Sequence, residues 1–335
     1  MTLKVGVIGT GMIGRDHIRR LTEVVSGAEV VAVADADEVA AKEVAAGLAN
    51  AKVHARGEDL IADADVDAVI VCSWGPTHEQ YVVAAVAAGK PVFCEKPLAT
   101  TTDACRRIMD AEVAHGRRLV QVGFMRRYDA PYRALKHAID SGAVGAPLIY
   151  YSGHRNASVP DHYTKDMAIV DTAVHDFDVT RWLLGEELSA IRVLAAKPNS
   201  HGGDLQDPLL MILETESGVL VNVETSVNIR YGYDIRGEVV GEDGTAALAD
   251  TGQVVLRRAN GVGVGVPADW RERFIAAYDV EFQEWINEVV AGTGLTGPSS
   301  WDGYAAQVVC DAGVKALYSG DRIEIDLGAK PALYS

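Results

Sequence analysis

Three groups of residues in this 335-residue chain have the types and spacing to do chemistry. The first is Gly9-Thr10-Gly11-Met12-Ile13-Gly14, which follows a Val/Ile-rich run and opens a helical one. In that setting G-x-G-x-x-G reads as a dinucleotide loop. Its first glycine permits the tight turn, the second lets backbone approach a pyrophosphate, the third lets helix and strand pack closely, and the phosphate lies at the helix N-terminus. The motif alone also fits a plain tight turn, so context decides. The next apolar run ends at Asp35, about 20 residues beyond Gly14, where a carboxylate can bond ribose hydroxyls. Asp35 and Asp37 repel a 2′-phosphate, and no Lys or Arg immediately follows Asp35, so NAD is expected over NADP. Asp35 can also cap the helix that follows.

The second group, Glu95-Lys96-Pro97, ends another strand-like run, and ligands of open α/β sheets bind at the carboxyl ends of strands. Proline disfavours helix at Lys96 and fixes the turn, which aims the ammonium into a cleft. The third is Asp171 and His175, four apart and so on one face of a helical stretch over 168–184 that also carries Asp178. Such pairs are common on exposed helices. Here the neighbours include Val174, Phe177, Trp182 and Leu183, an apolar setting in which polar groups need partners or a cavity. Together the three groups meet the needs of alcohol dehydrogenation. A dinucleotide accepts hydride, a histidine of ordinary pKa near ~6.5 takes the hydroxyl proton, and a lysine charge stabilises the developing alkoxide. Asp171 would orient Lys96 or the hydroxyl.

Elements that position these groups follow from periodicity. Up to residue 122, strands over 4–8, 30–34, 68–72, 91–94 and 119–122 alternate with helices over 13–25, 37–48, 77–88 and 102–115. That alternation is the signature of a doubly wound parallel sheet covered by helices, a Rossmann domain over 1–122. From 123 to 335 the texture becomes α+β, with a helix over 131–141 and strands over 148–151, 209–214, 220–227 and 236–241 that suit an open, largely antiparallel sheet. Glu242-Asp243-Gly244 marks a turn. Helices over 274–290 and 301–318 can pack on that sheet or return to the first domain.

Composition narrows the partners. Apolar residues make up 48% and charged residues 23%, which supports folded cores, and the length suggests two of them. A net charge of −16 repels nucleic acid and anionic membranes. Arg126-Arg127 is read as a solvated face or an ion-pair donor. Four cysteines without C-x-x-C spacing, strand residues starting at Leu3 and no long apolar run point to a reducing cytoplasm. The histidines show no metal-ligand spacing, so no metal is expected, and no G-x-S-x-G elbow suggests a hydrolase.

With Gly9-x-Gly11-x-x-Gly14, Glu95-Lys96-Pro97 and Asp171-x-x-x-His175 in place, the whole chain resembles the glucose–fructose oxidoreductase/inositol dehydrogenase/rhizopine catabolism (Gfo/Idh/MocA) family. The resemblance implies that Lys96, Asp171 and His175 are the catalytic group. Ser73-Trp74-Gly75-Pro76-Thr77-His78-Glu79, the run 123–129, His154-Arg155-Asn156 and Tyr231-Gly232-Tyr233-Asp234 look like the branch that oxidises inositol. Ala157-Ser158 departs from the Asn-Pro-Thr of many relatives. By that likeness Met12, Ile13, Ser73, Trp74, Glu95 and Lys96 join the glycines and Asp35 at NAD. Met125, His154, Asn156, Thr172 and Tyr233 join the catalytic trio around the substrate. The implied reaction is NAD-dependent oxidation of myo-inositol, with scyllo-inositol, another isomer or a pyranose sugar as alternatives. A non-catalytic NAD-binding sensor is the reading from another class; loss of any of the trio would favour it, and all three are present. The resemblance further implies a homotetramer.

Overall fold

In the computed structural model, which describes residues 2–249 and 254–335, the alternating first third becomes six parallel strands. They are β1 (Leu3–Ile8), β2 (Ala28–Ala34), β3 (Lys52–His54), β4 (Ala68–Val71), β5 (Val92–Glu95) and β6 (Val120–Gly123), in spatial order β3-β2-β1-β4-β5-β6. Near-continuous burial of β1, β4, β5 and β6 reflects helices on both faces. Strand order reverses between β1 and β4, and at such a switch point the carboxyl ends of the strands leave a crevice. Helices α1 (Met12–Glu23), α2 (Glu38–Ala46), α4 (His78–Ala87) and α5 (Thr102–His115) stand where periodicity predicts them. The short pair β3 and α3 (Gly57–Ala62) is not anticipated, because three residues give too little alternation to read.

The contacts gather the chain into two units. Residues up to Phe124 form the first together with Tyr278–Gln307 and Leu327–Ser335, and Met125–Ala277 with Val308–Asp326 form the second. The sequence reading keeps all of 123–335 in one domain, whereas 278–307 and 327–335 group with the first unit. Packing explains the return. Phe282 and Trp285, on α8 (Trp270–Ala291), are fully buried with their ring centroids 4.3 and 5.8 Å from that of Phe93 on β5, and such rings dominate the energetics of a core.

In the second unit the sheet order is β12-β11-β7-β10-β9-β8-β15. Its longer strands are β7 (Pro147–Arg155), β8 (Leu188–Ala195), β9 (Leu209–Thr215), β10 (Leu220–Ser226) and β11 (Asp234–Gly241); β12 (Thr245–Ala247) and β15 (Ile323–Glu324) form the edges. All pairings are antiparallel except β7 with β10. The turn at 242–244 joins β11 to β12 as its residues suggest. Helices α6 (Ala130–Asp140) and α7 (Val174–Leu184) belong to this unit; β13 (Val255–Arg258) and β14 (Gly261–Val264) form a separate hairpin. Helix α9 (Ser300–Ser319) begins in the first unit and ends in the second.

Candidate active site

The glycine loop leaves β1 at its carboxyl end. Gly9 has φ +97°, and a Cβ there would lie 2.5 Å from the Cys72 carbonyl. A Cβ on Gly14 would sit 2.0 Å from the Gly9 oxygen, so both positions need glycine, whereas Gly11 faces open space. Gly11 is also the N-cap of α1, which has no side-chain cap and no acidic residue in its first turn. The first N–H groups of α1, on Met12, Ile13 and Gly14, are therefore available to an anion. By contrast α2 is capped by Asp37, which accepts from Val39 N and Ala40 N. The sequence reading gives that role to Asp35. Asp35 instead accepts from Thr10 N at 2.5 Å, Thr10 Oγ1 at 2.9 Å and Asp37 N at 2.9 Å. Partial burial pushes its pKa up, but these hydrogen bonds outweigh burial and hold the carboxyl below its usual range.

A cavity of about 610 Å³ runs from Gly9, Gly11 and Asp35 to Ser73 and Trp74. Arg56, Glu58 and Tyr81 also line it, and no sequence motif announces them. Met12 and Trp74 are largely exposed. Buried His78 faces the Ser73 carbonyl at 2.9 Å and the Pro97 carbonyl at 2.7 Å, tying the loop after β4 to the turn that holds Lys96. Lys96 follows β5 directly and is half-buried. The carboxylate of Glu95, only 6% exposed, faces inward.

In the second unit the Asp–His stretch is not one regular α-helix. Ala168–Ala173 is a π-helical turn running into α7. Insertions of this kind are rare and frequent at functional sites. Asp171 on the π turn is exposed, while Thr172 and His175 are buried. Thr172 Oγ1 shares a 2.5 Å hydrogen bond with Tyr163 OH. The ring of His154, from β7, lies 6.4 Å from that of His175 and 5.6 Å from that of Tyr233. Tyr233 OH is 3.2 Å from His154 Nε2. Asn156, half-buried just past β7, is held by backbone bonds to Ser226 and Ile229. Met125 is buried.

Beneath this group lies a charged cluster that sequence reasoning missed. Asp176 Oδ1 accepts from Arg126 Nη1 at 2.6 Å and Ser152 Oγ at 2.7 Å, while Oδ2 lies 2.8 Å from His154 Nδ1. Arg126 Nη2 also reaches that nitrogen, at 2.9 Å. Burial pushes the Asp176 pKa up, yet the Arg126 guanidinium, followed by His154 and Ser152, holds it well below the carboxylate range. Of the two readings of Arg126, the ion-pair donor holds and the solvated face does not: it is 1% exposed and paired with Asp176. Its neighbour Arg127 pairs with Asp178 at 3.0 and 2.5 Å. A basic pair alone does not show in advance that both arginines turn inward onto Asp176 and Asp178 of α7.

Family models cover both units. An oxidoreductase family model for an NAD-binding Rossmann fold matches residues 3–124, and the C-terminal alpha/beta domain model of the same Gfo/Idh/MocA family matches residues 136–325. The chain belongs to the Gfo/Idh/MocA oxidoreductase family. Among relatives within it, an inositol 2-dehydrogenase of Burkholderia ambifaria is 56% identical over 337 residues, covering 100% of this chain and 99% of that one. An inositol 2-dehydrogenase 3 of Saccharopolyspora erythraea is 52% identical over 335 residues, with coverages of 100% and 98%. A myo-inositol dehydrogenase of Lactobacillus casei, solved in complex with NAD(H) and myo-inositol, superposes with TM-score 0.98 at 41% identity, covering 100% of both chains. The first domain is an NAD-binding Rossmann fold. Among the described residues, no helix is long and apolar enough to cross a membrane.

Proposed function

We propose that this protein is an NAD-dependent inositol 2-dehydrogenase that oxidises myo-inositol or a close isomer to a keto-inositol. One conjunction carries the reading. The glycine loop, the uncapped start of α1 and the ionised Asp35 meet in one cavity, in a chain that is 56% identical along its length to an inositol 2-dehydrogenase. Those residues suit a dinucleotide with a free 2′-hydroxyl; NAD, when bound, supplies the hydride acceptor. Gly9, Gly11, Met12, Ile13, Gly14, Asp35, Ser73, Trp74 and Lys96 hold it, whereas Glu95, which the family likeness also places there, has its carboxylate buried against His17. His175 takes the proton from the substrate hydroxyl. The Lys96 ammonium donates to the same oxygen and stabilises its developing charge, and Asp171 orients Lys96 or that hydroxyl. Met125, His154, Asn156, Thr172 and Tyr233 line the substrate side, where a ring with a hydroxyl on every carbon needs many directional donors and acceptors.

The protein acts as a homotetramer in the cytoplasm. Self-association is supported by one face of the second unit's sheet, which leaves Tyr151, Leu194 and Leu220 exposed. The cytoplasm is supported by four buried cysteines that form no disulfide.

The test is initial-rate NADH formation with myo-, scyllo- and chiro-inositol and glucose, each with NAD⁺ and NADP⁺. A myo-inositol and NAD⁺ preference is expected. Lys96→Ala and His175→Ala should each lower kcat by about 10²–10⁴-fold while NADH still binds. Turnover of another polyol alone would move the substrate. Bound NADH with no turnover on the panel would make the protein a sensor.

A further inference from the structure

Behind Lys96 runs a chain of hydrogen bonds whose direction is fixed at every link. Arg20 and His17, both on α1, are fully buried. Arg20 Nε donates to Asp279 Oδ1 at 2.7 Å and Nη2 to Asp16 Oδ2 at 2.9 Å; Nη1 lies 2.7 Å from His17 Nδ1. A guanidinium can only donate, so Nδ1 must accept, and the proton of the neutral ring sits on Nε2. That nitrogen lies 2.7 Å from Glu95 Oε1 and therefore donates to it. The other oxygen, Oε2, accepts from the backbone N–H of Lys96 at 3.1 Å. Two further observations show that the carboxylate's place is reserved. A Cβ on Gly123, the β6 partner of Glu95 in the sheet, would come within 3.2–3.3 Å of the Glu95 carboxylate, and Gly123 does not have the positive φ that would require glycine. The His17 ring packs tilted against two aromatic rings, its centroid 4.4 Å from that of Phe282 and 5.7 Å from that of Tyr278, which fill the space beside it.

We propose that His17 and Glu95 are positioning residues for the dehydrogenase reaction. The first helix of the dinucleotide loop holds the Glu95 carboxylate through His17 and Arg20, and that carboxylate clamps the main chain of Lys96 at the end of β5. The loop that takes the cofactor phosphates and the lysine that meets the substrate oxygen are thereby built on one hydrogen-bonded frame. Arg20 anchors it, and Asp16 and Asp279 neutralise Arg20. The inference rests on the reading of Lys96 as the residue that stabilises the reacting oxygen.

The test compares Glu95→Gln, His17→Phe, His17→Gln, Gly123→Ala and Lys96→Ala in the full-length protein, measuring kcat, KM for NAD⁺ and for myo-inositol, and NADH affinity. An amide at 95 has one acceptor for two donors, so Glu95→Gln should lower kcat about tenfold or more, with NADH affinity kept, because misplacing a reacting group by an ångström can cost ~10²-fold. His17→Phe keeps the ring packing and loses the hydrogen bonds; it should behave alike. His17→Gln offers a donor to Glu95 and an acceptor to Arg20 and should recover most of the rate. Gly123→Ala pushes the carboxylate without removing a polar group and should lower kcat several-fold even if His17→Phe does not fold. Wild-type kcat in Glu95→Gln and Gly123→Ala, beside an inactive Lys96→Ala, would overturn the positioning role alone. So would a His17→Gln no better than His17→Phe. A near-full rate in Lys96→Ala would overturn the role of Lys96 and this inference with it.

Discussion

Neutralising Asp176 should separate what the buried cluster contributes to stability from what it contributes to substrate binding. The side chains of Asp176 and Arg126 are 0% and 1% exposed, and their ion pair spans 2.6 Å. In Asp176→Asn one oxygen becomes an NH₂. Replacing Oδ1 sets N–H against the donors of Arg126 and Ser152; replacing Oδ2 sets it against His154 Nδ1 and the Arg126 N–H beside it. Either way Arg126 stays buried without an anionic partner, and breaking such a pair costs about 3–5 kcal/mol. For a unit of this size each kcal/mol moves Tm by about 2–4 °C, so a fall of roughly 10 °C is expected in a thermal scan. His154 loses its anchor, and Tyr233, bonded to the far nitrogen of that ring, loses its own. KM for myo-inositol should therefore rise about tenfold or more, as for loss of a hydrogen bond to a charged group worth ~1.5–3 kcal/mol, with NADH affinity unchanged. Pairing Asp176→Leu with Arg126→Met should restore much of the stability, since apolar replacement of a buried ion pair is often neutral or better. KM should stay high. A wild-type Tm and KM in Asp176→Asn would refute the cluster's role, and a wild-type KM in the double variant would reduce it to space filling.

Asp35→Ser should weaken NAD⁺ about 10–100-fold, the range of one charge-assisted hydrogen bond, and narrow the preference over NADP⁺; unchanged KM values for both cofactors would remove Asp35 from the ribose. Stability should fall with acid in two phases. Burial lowers the pKa of His17 against the pull of Glu95, and that of His78 against the Ser73 and Pro97 carbonyls. The unfolded chain therefore takes up protons first, and stability drops as pH falls below ~6.5, by at most ~1.4 kcal/mol per pH unit per histidine. Asp176, whose pKa is depressed by Arg126 against burial, stabilises above the ordinary carboxylate value near ~4 and loses that contribution only as pH falls further. Denaturant titrations across this range check both phases, and a flat stability between about pH 7 and 5 would exclude the histidine one.

The first unit was legible because its signals are local. Glycines at 9 and 14 are dictated by backbone clearances of a few ångströms, and the alternation of apolar strands with amphipathic helices spans residues that follow one another. The return of 278–307 was not legible, since Phe282 and Trp285 would bury equally well against any apolar face; only the fold shows that they meet Phe93. Spacing also hid the π turn at Ala168–Ala173. A separation of four positions between Asp171 and His175 fits an α-helix, and nothing in the composition of the stretch announces a π turn.

Reading a site from sequence favours the groups that would touch ligand over those that hold them. His154, Tyr233 and Lys96 are visible because their chemistry fits a polyol and a hydride acceptor. Asp176, Arg126, His17 and Glu95 do their work facing inward, where a charge is tolerable only with a partner, and the partner comes from a distant part of the chain: β7 for Asp176, α8 for Arg20 and β5 for His17. In sequence Asp176, Arg126 and His17 are ordinary charged or polar residues, and Glu95 stands out in its motif only as a residue at the cofactor, not as a partner of His17. The physical consequence is that these inward groups fix the orientation of the outward ones. Exchanging residues that contact the substrate, without their buried partners, should therefore transfer a substrate preference poorly between members of the family.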